Sequence, residues 1–139
     1  MAALNERVRR FLEAPRFGVL ATINPDGSPQ QTVIWYLLRG DEIVMNTKRG
    51  RQKDRNLLHD SRASLCVEDD YRYVAIDGRI ALNDDPEQGQ RDIEALAIRY
   101  HGPERAAAMM RDQFSKEARV TLRMSIDRID VHGFDDNEA

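Results

Sequence analysis

Between Lys48 and Arg55 the chain places five cations within eight residues, Lys48, Arg49, Arg51, Lys53 and Arg55, offset only by Asp54. Like charges at this density repel one another unless water screens them or an anion sits among them. The flanking pattern favours an anion. A β-branched run ends just before the cluster, glycine and polar residues follow, and a short helical pattern ending near Leu58 starts within it. A helix N-terminus offers free N–H groups and the positive end of its dipole, so phosphate suits such a segment. Arg51 can grip phosphate oxygens in a bidentate fork, and Lys53 can act as a point charge. A solvated basic loop is the plainer alternative. Nucleic acid fits poorly, because no run of aromatics interleaves the cations as a stacking platform. The whole chain is also acidic, with 21 Lys+Arg against 24 Asp+Glu and a formal charge of -3.

Other chemistry has weaker support. Cys66 sits inside an apolar strand pattern, SLCVE, where a thiol is ordinarily an inert small hydrophobe. His59, His101 and His132 stand far apart and share no metal-ligand spacing. The carboxylate pairs Asp69-Asp70 and Asp84-Asp85 fall in turns or at a helix start, where they cap rather than catalyse. A single cysteine permits no intramolecular disulfide and suits a reducing cytoplasm. The first residues, MAALNERVRRFLEAP, lack the apolar core of a secretion signal, and no run approaches the ~20 apolar residues of a membrane span.

The elements that must position the cations follow from periodicity. The 139 residues are the length of one globular domain, 1–139, able to bury a core without metal or disulfide. Leu4, Val8, Phe11 and Leu12 share one helical face, closed by Pro15. Strands are expected at Phe17 to Ile23, Gln30 to Leu38 and Glu42 to Thr47, joined through the Asp26-Gly27 and Arg39-Gly40-Asp41 turns. In the second of these, apolar residues at both parities predict a strand covered on both faces. Two more strands, Ala63 to Glu68 and Tyr71 to Leu82, follow the basic segment, with Gly78 a bulge or close approach. Asp85, Pro86 and Gln88 have the spacing of a capping box opening a helix, which His101-Gly102-Pro103 breaks before a second one bearing Ala106, Met109 and Met110. Strict alternation from Val120 to Ile126, extended through Ile129 and Val131, is a last half-buried strand. Six strands with helices only at the start, one crossover and near the end favour a mainly β, antiparallel barrel over a βαβ sheet.

Three segments in order, FGVLATINPDGSPQQTVIWY, EIVMNTKRGRQKDRNLLHDSRASLCVED and the Gly78 strand, resemble the flavin-binding split-barrel superfamily around pyridoxamine 5'-phosphate oxidase. The resemblance runs from about Val8 to Val131 and is greatest to the bacterial flavin/deazaflavin oxidoreductase branch. It implies a six-stranded antiparallel split β-barrel with flanking helices. It implies also a cofactor, the deazaflavin coenzyme F-420 or FMN, whose ring lies along Gln30, Thr32, Val33, Ile34 and Trp35 with Asn46 and Thr47 beside it. Arg51 and Lys53 would take the phosphate, and Lys48 and Arg49 would meet the oligoglutamate tail that distinguishes the deazaflavin coenzyme from FMN. The activity implied is hydride transfer to a small unsaturated organic substrate; a non-catalytic flavin carrier is the alternative outside enzymes. Tyr36 is the hydroxyl considered as proton donor. Family members are usually homodimers with cofactor sites at the interface, and the apolar strands here predict a homodimer too. The chain lacks, in RIDVHGFDDNEA, the Arg-x-His segment with which the pyridoxamine oxidase clamps substrate phosphate, which counts against that substrate.

Overall fold

The computed structural model describes residues 4–134. Asn5 caps the first helix, α1 (Glu6–Glu13), accepting from the Val8 N–H, and Val8, Phe11 and Leu12 turn its apolar stripe inward. Three strands follow: β1 (Gly18–Ile23), β2 (Pro29–Ile34) and β3 (Leu37–Arg39). The turn between β1 and β2 puts Gly27 at φ +89°, the left-handed conformation that a Cβ disfavours. Next come β4 (Glu42–Lys48), α2 (Gln52–His59), β5 (Arg62–Asp69) and the long β6 (Arg72–Asn83). Two helices, α3 (Pro86–His101) and α4 (Pro103–Asp112), precede a short 3-10 turn (Phe114–Lys116) and the strands β7 (Arg119–Ser125) and β8 (Arg128–His132).

All pairings are antiparallel, in the order β2-β1-β5-β6-β7-β4-β3, with β8 also on β6. The two ends of that order, β2 and β3, are consecutive in the chain and joined only by Trp35-Tyr36. The sheet must therefore curl until its ends meet, which makes it a split barrel. Its interior is filled by Leu20, Leu65 and Ile76 from one half and Met45, Leu122 and Met124 from the other, with α1 closing one end.

Among the described residues there are eight strands where six were expected, because two of the expected strands are each interrupted. Gln30 to Leu38 breaks at Trp35-Tyr36, where the chain crosses from one end of the sheet to the other. Apolar residues at both parities there reflect this crossing: Tyr36 enters the core while Trp35 turns out toward α3. The last strand breaks after Ser125. Met124 faces Ile80 but Arg128 faces Asp77, so the β7 to β8 side carries one extra residue along the same edge of β6. Gly78 permits the approach, since a Cβ there would lie 1.8 Å from the Ser125 carbonyl oxygen.

The capping box also resolves differently. Asp85 does cap α3, accepting from the Glu87 N–H at 3.1 Å, but Gln88 reaches forward to the Asp92 carboxylate at 3.0 Å. Asp92 is the stronger attractor, being buried against β7. Burial alone would raise its pKa, yet donors on Thr121, Gln88 and Arg39 hold it below the ordinary carboxylate value. Ile93 and Ala97 of α3, with Ala106 of α4 and Phe114, form a second apolar cluster outside the barrel, against which Trp35 packs. Among the described residues no helix is long and apolar enough to cross a membrane.

Candidate cofactor and anion site

The cations of the basic segment do not share one environment. Arg49 turns away to Asp54 (2.9 Å) and to Asp84, and Asp54 accepts also from the Gly50 N–H at 2.8 Å. This clasp shapes the loop between β4 and α2. Lys48 lies 3.9 Å from Glu117, and Arg55 donates to the Gly50 carbonyl. Asn56 ties α2 to the β1–β2 hairpin through the Thr22 hydroxyl and the Asn24 amide, at 3.1 and 3.0 Å. Two cations are left over. Lys53 is only 6% exposed, yet among the described residues no hydrogen bond or ion pair reaches its ammonium, nor does one reach the Arg51 guanidinium. Burial, followed by the charges of Arg51 and Arg119, pushes the Lys53 ammonium below its ordinary pKa. A buried, unpaired cation is costly, and an anion placed beside it removes the cost.

Arg51 and Lys53 line a cavity of about 240 Å³. Val33, Ile34, Trp35, Asn46 and Thr47 line it as well, so seven of the residues expected at a cofactor come together there. Gln30, Thr32, Lys48 and Arg49 do not line it. Thr32 lies opposite Leu20 in the ladder and so faces the barrel interior, where its hydroxyl has no hydrogen-bond partner. Gln30 accepts from the Thr22 hydroxyl at 3.3 Å. Asn46 is committed to protein groups at both ends of its amide, donating to the Gly89 carbonyl and accepting from Arg119, each at 2.9 Å.

Several cavity residues escaped the sequence reading. Arg119 stands opposite Lys48 in the β4–β7 pairing. Its parity on the alternating last strand marks it as outward-facing, but nothing in the sequence shows that this strand pairs with the one before the basic loop. Phe17 and Phe114 complete an aromatic wall. Phe17 stacks on Tyr100 (5.6 Å between centroids) and Tyr100 on Trp35 (5.4 Å), while Phe114 meets Trp35 edge-on at 6.2 Å.

Burial decides two side chains, overturning the expectation for Tyr36 and agreeing with the inert thiol expected at Cys66. Tyr36 is fully buried, donates to the Leu12 carbonyl at 2.9 Å, and does not line the cavity. Burial pushes its hydroxyl up to about 12, so it is no proton donor for a substrate in this site. Cys66 is half-buried on the outer face of β5 rather than in the core; burial and then Glu68 push its thiol up, which keeps it protonated and inert.

Apolar and aromatic walls beside a cluster of unpaired cations suit a flat ring carrying a phosphate. Residues 4–133 match the pyridoxamine 5'-phosphate oxidase family. A conserved hypothetical protein from Mycobacterium tuberculosis has a similar structure, with TM-score 0.79 and 33% identity over 94% of this chain and 85% of that one. An F-420 reductase is similar at TM-score 0.73 and 27% identity, over 91% of this chain and 98% of that one. General stress protein 26 from Bacillus anthracis shares the fold at TM-score 0.68 and 17% identity, over 91% of this chain and 92% of its own.

Proposed function

The chain belongs to the pyridoxamine 5'-phosphate oxidase family, and we propose that it is an oxidoreductase moving a hydride between the deazaflavin coenzyme F-420 and a small unsaturated organic substrate. The observation that carries this reading is the buried, unpaired Lys53 beside Arg51 in a cavity walled by Trp35, Ile34 and Phe114. Arg51 and Lys53 hold the phosphate, and the aromatic and aliphatic wall holds the ring. When bound, the coenzyme supplies the hydride chemistry. The chain's own residues bind, orient and exclude water. Among the described residues no carboxylate or histidine lines the cavity, which favours water over a protein acid as the source of the proton that completes the reduction. Similarity to an F-420 reductase supports the deazaflavin assignment.

A specific observation favours FMN as the second reading. Lys48 and Arg49, the cations expected at the oligoglutamate tail, are already paired with Glu117, Asp54 and Asp84. The absorbance spectrum of protein purified from a host that makes FMN but no deazaflavin separates the two. A colourless protein is expected, and a near-stoichiometric yellow chromophore would replace deazaflavin with FMN.

Arg51→Ala and Lys53→Ala should each weaken cofactor binding by roughly 10- to 150-fold, the worth of one charge-assisted hydrogen bond. Titration by fluorescence measures this; wild-type affinity in both variants would move the site elsewhere.

We further propose that the working unit is a homodimer. A cavity of about 240 Å³ is smaller than the roughly 300–1,000 Å³ of sites that enclose a cofactor-sized ligand. Its rim residues Phe17 and Val33 are 60% and 68% exposed, and a second copy laid on them would complete the wall.

A further inference from the structure

Arg119 reaches the same cavity from a strand far removed in sequence from the basic loop. Its guanidinium is held on two sides: Nε donates to the Asn46 side-chain oxygen and Nη1 to Glu117, both at 2.9 Å. Asn46 is itself fixed by the Gly89 carbonyl of α3, and the Phe114 ring lies 5.0 Å from the guanidinium carbon. The side chain is 7% exposed. Among the described residues Nη2 has no hydrogen bond, although the residue lines the cavity with Arg51 and Lys53. Nη2 is not sealed within protein, as it would be in an arginine spent wholly on the fold. This one is oriented by its neighbours and left with a free donor.

Resting on the reading of the cavity as a cofactor-phosphate site, we propose that Arg119 is a third ligand of the phosphate and that Glu117 is its counter-ion, limiting the positive charge the site presents. Glu117 orients Nη1 and at the same time neutralises part of the charge the phosphate meets. Among the described residues Arg51 and Lys53 have no such partner. The site therefore combines two cations that gain a partner only with ligand and one held ready by the protein. Removing the charge of Glu117 and removing that of Arg119 have opposite consequences for a phosphate, whereas a structural ion pair would respond to both losses in the same direction.

The test compares each cofactor with its phosphate-free form: FMN with riboflavin, and the deazaflavin coenzyme with its ribityl-deazaflavin core, titrated by fluorescence against the protein as purified. Arg119→Gln should weaken binding of the phosphate-bearing form by roughly 10- to 150-fold and leave the phosphate-free form unchanged. Glu117→Gln should tighten the phosphate-bearing form by about threefold or more, since it removes a competing negative charge. Should Arg119→Gln fold poorly, the sign of the Glu117→Gln effect alone decides. Equal weakening of both forms by Arg119→Gln, or weakening of the phosphate-bearing form by Glu117→Gln, would overturn the proposal and leave the pair structural. Wild-type protein that binds phosphate-bearing and phosphate-free forms equally would overturn the phosphate site itself.

Discussion

Lys53 illustrates what a residue proposed to bind an anion costs before that anion arrives. The side chain lies largely buried near Arg51 and Arg119 with no ion pair among the described residues, and its pKa is lowered first by burial and then by those two charges. A lowered folded pKa means that, between that value and 10.5, the unfolded chain binds more protons than the folded one. The penalty is thus fully present below the folded pKa and is relieved as pH rises through it. Lys53→Met should raise the melting temperature of the ligand-free protein at pH 7 by a few degrees, about 1 kcal/mol. The gain over wild type should shrink as pH approaches 10.5. Differential scanning fluorimetry at both pH values measures it, and a lower melting temperature for the variant at pH 7 would show that Lys53 has a structural partner. Arg99 shows the opposite use of a cation. It donates to the carbonyls of Leu12, Glu13 and Ala14 at 3.0, 2.7 and 3.1 Å, closing the C-terminal end of α1, and to Tyr36 at 2.9 Å. Four of its five N–H donors are spent on the fold.

At the level of elements, α3 is the part that holds the site's back wall in place, and it does so through a glycine. A Cβ on Gly89 would lie 2.1 Å from the Arg119 carbonyl oxygen, so the helix backbone rests almost directly on β7. By helix propensity alone Gly89→Ala should stabilise α3 by about 0.8–1.0 kcal/mol. The overlap is with backbone, which cannot step aside, and overpacking of this kind costs roughly 1–3 kcal/mol. The clash wins. Gly89→Ala should lower the melting temperature and, by moving the Gly89 carbonyl from Asn46, loosen Arg119 and weaken cofactor binding. Thermal denaturation and cofactor titration of the one variant check both halves; a melting temperature above wild type would mean that α3 can move away at no cost. Asp92, one turn further along the same face of α3, adds to this seat on β7 through Thr121 at 2.6 Å and ties the helix to Arg39 at 3.0 Å.

For the whole molecule the governing feature is an outer sheet face left open. Val33, Val19, Cys66 and Ala75 form a continuous row across β2, β1, β5 and β6 through their ladder partners. Val33 and Val19 in that row are well exposed, and Phe17 lies at the start of the same face. A second copy would cover this row and, through Val33 and Phe17, bear on the cavity as well. Val19→Glu places one charge per copy in the middle of the row without touching the cavity lining. Light scattering at micromolar concentration should find wild-type protein at twice 16.0 kDa and the variant at 16.0 kDa, with cofactor affinity falling alongside. A wild-type protein seen only at 16.0 kDa would dispose of the dimer.

Local chemistry was legible in the chain itself. Apolar alternation marked the strands, Asp26-Gly27 and Gly102-Pro103 marked a turn and a helix break, and the density of cations from Lys48 to Arg55 marked a candidate anion site, because each depends on neighbours a few residues apart. Which of those cations are free depended on distant partners. Arg49 is claimed by Asp84, 35 residues away, and Arg119 joins the cavity only because β7 pairs with β4, 73 residues separating it from Asn46. The division of Gln30 to Leu38 into two strands likewise follows from closing the sheet on itself, a property of all eight strands together. Periodicity reports which face of an element is apolar. Only packing decides which polar groups meet across elements, since charge and hydrogen-bond pairing act over a few ångströms in space whatever the separation along the chain.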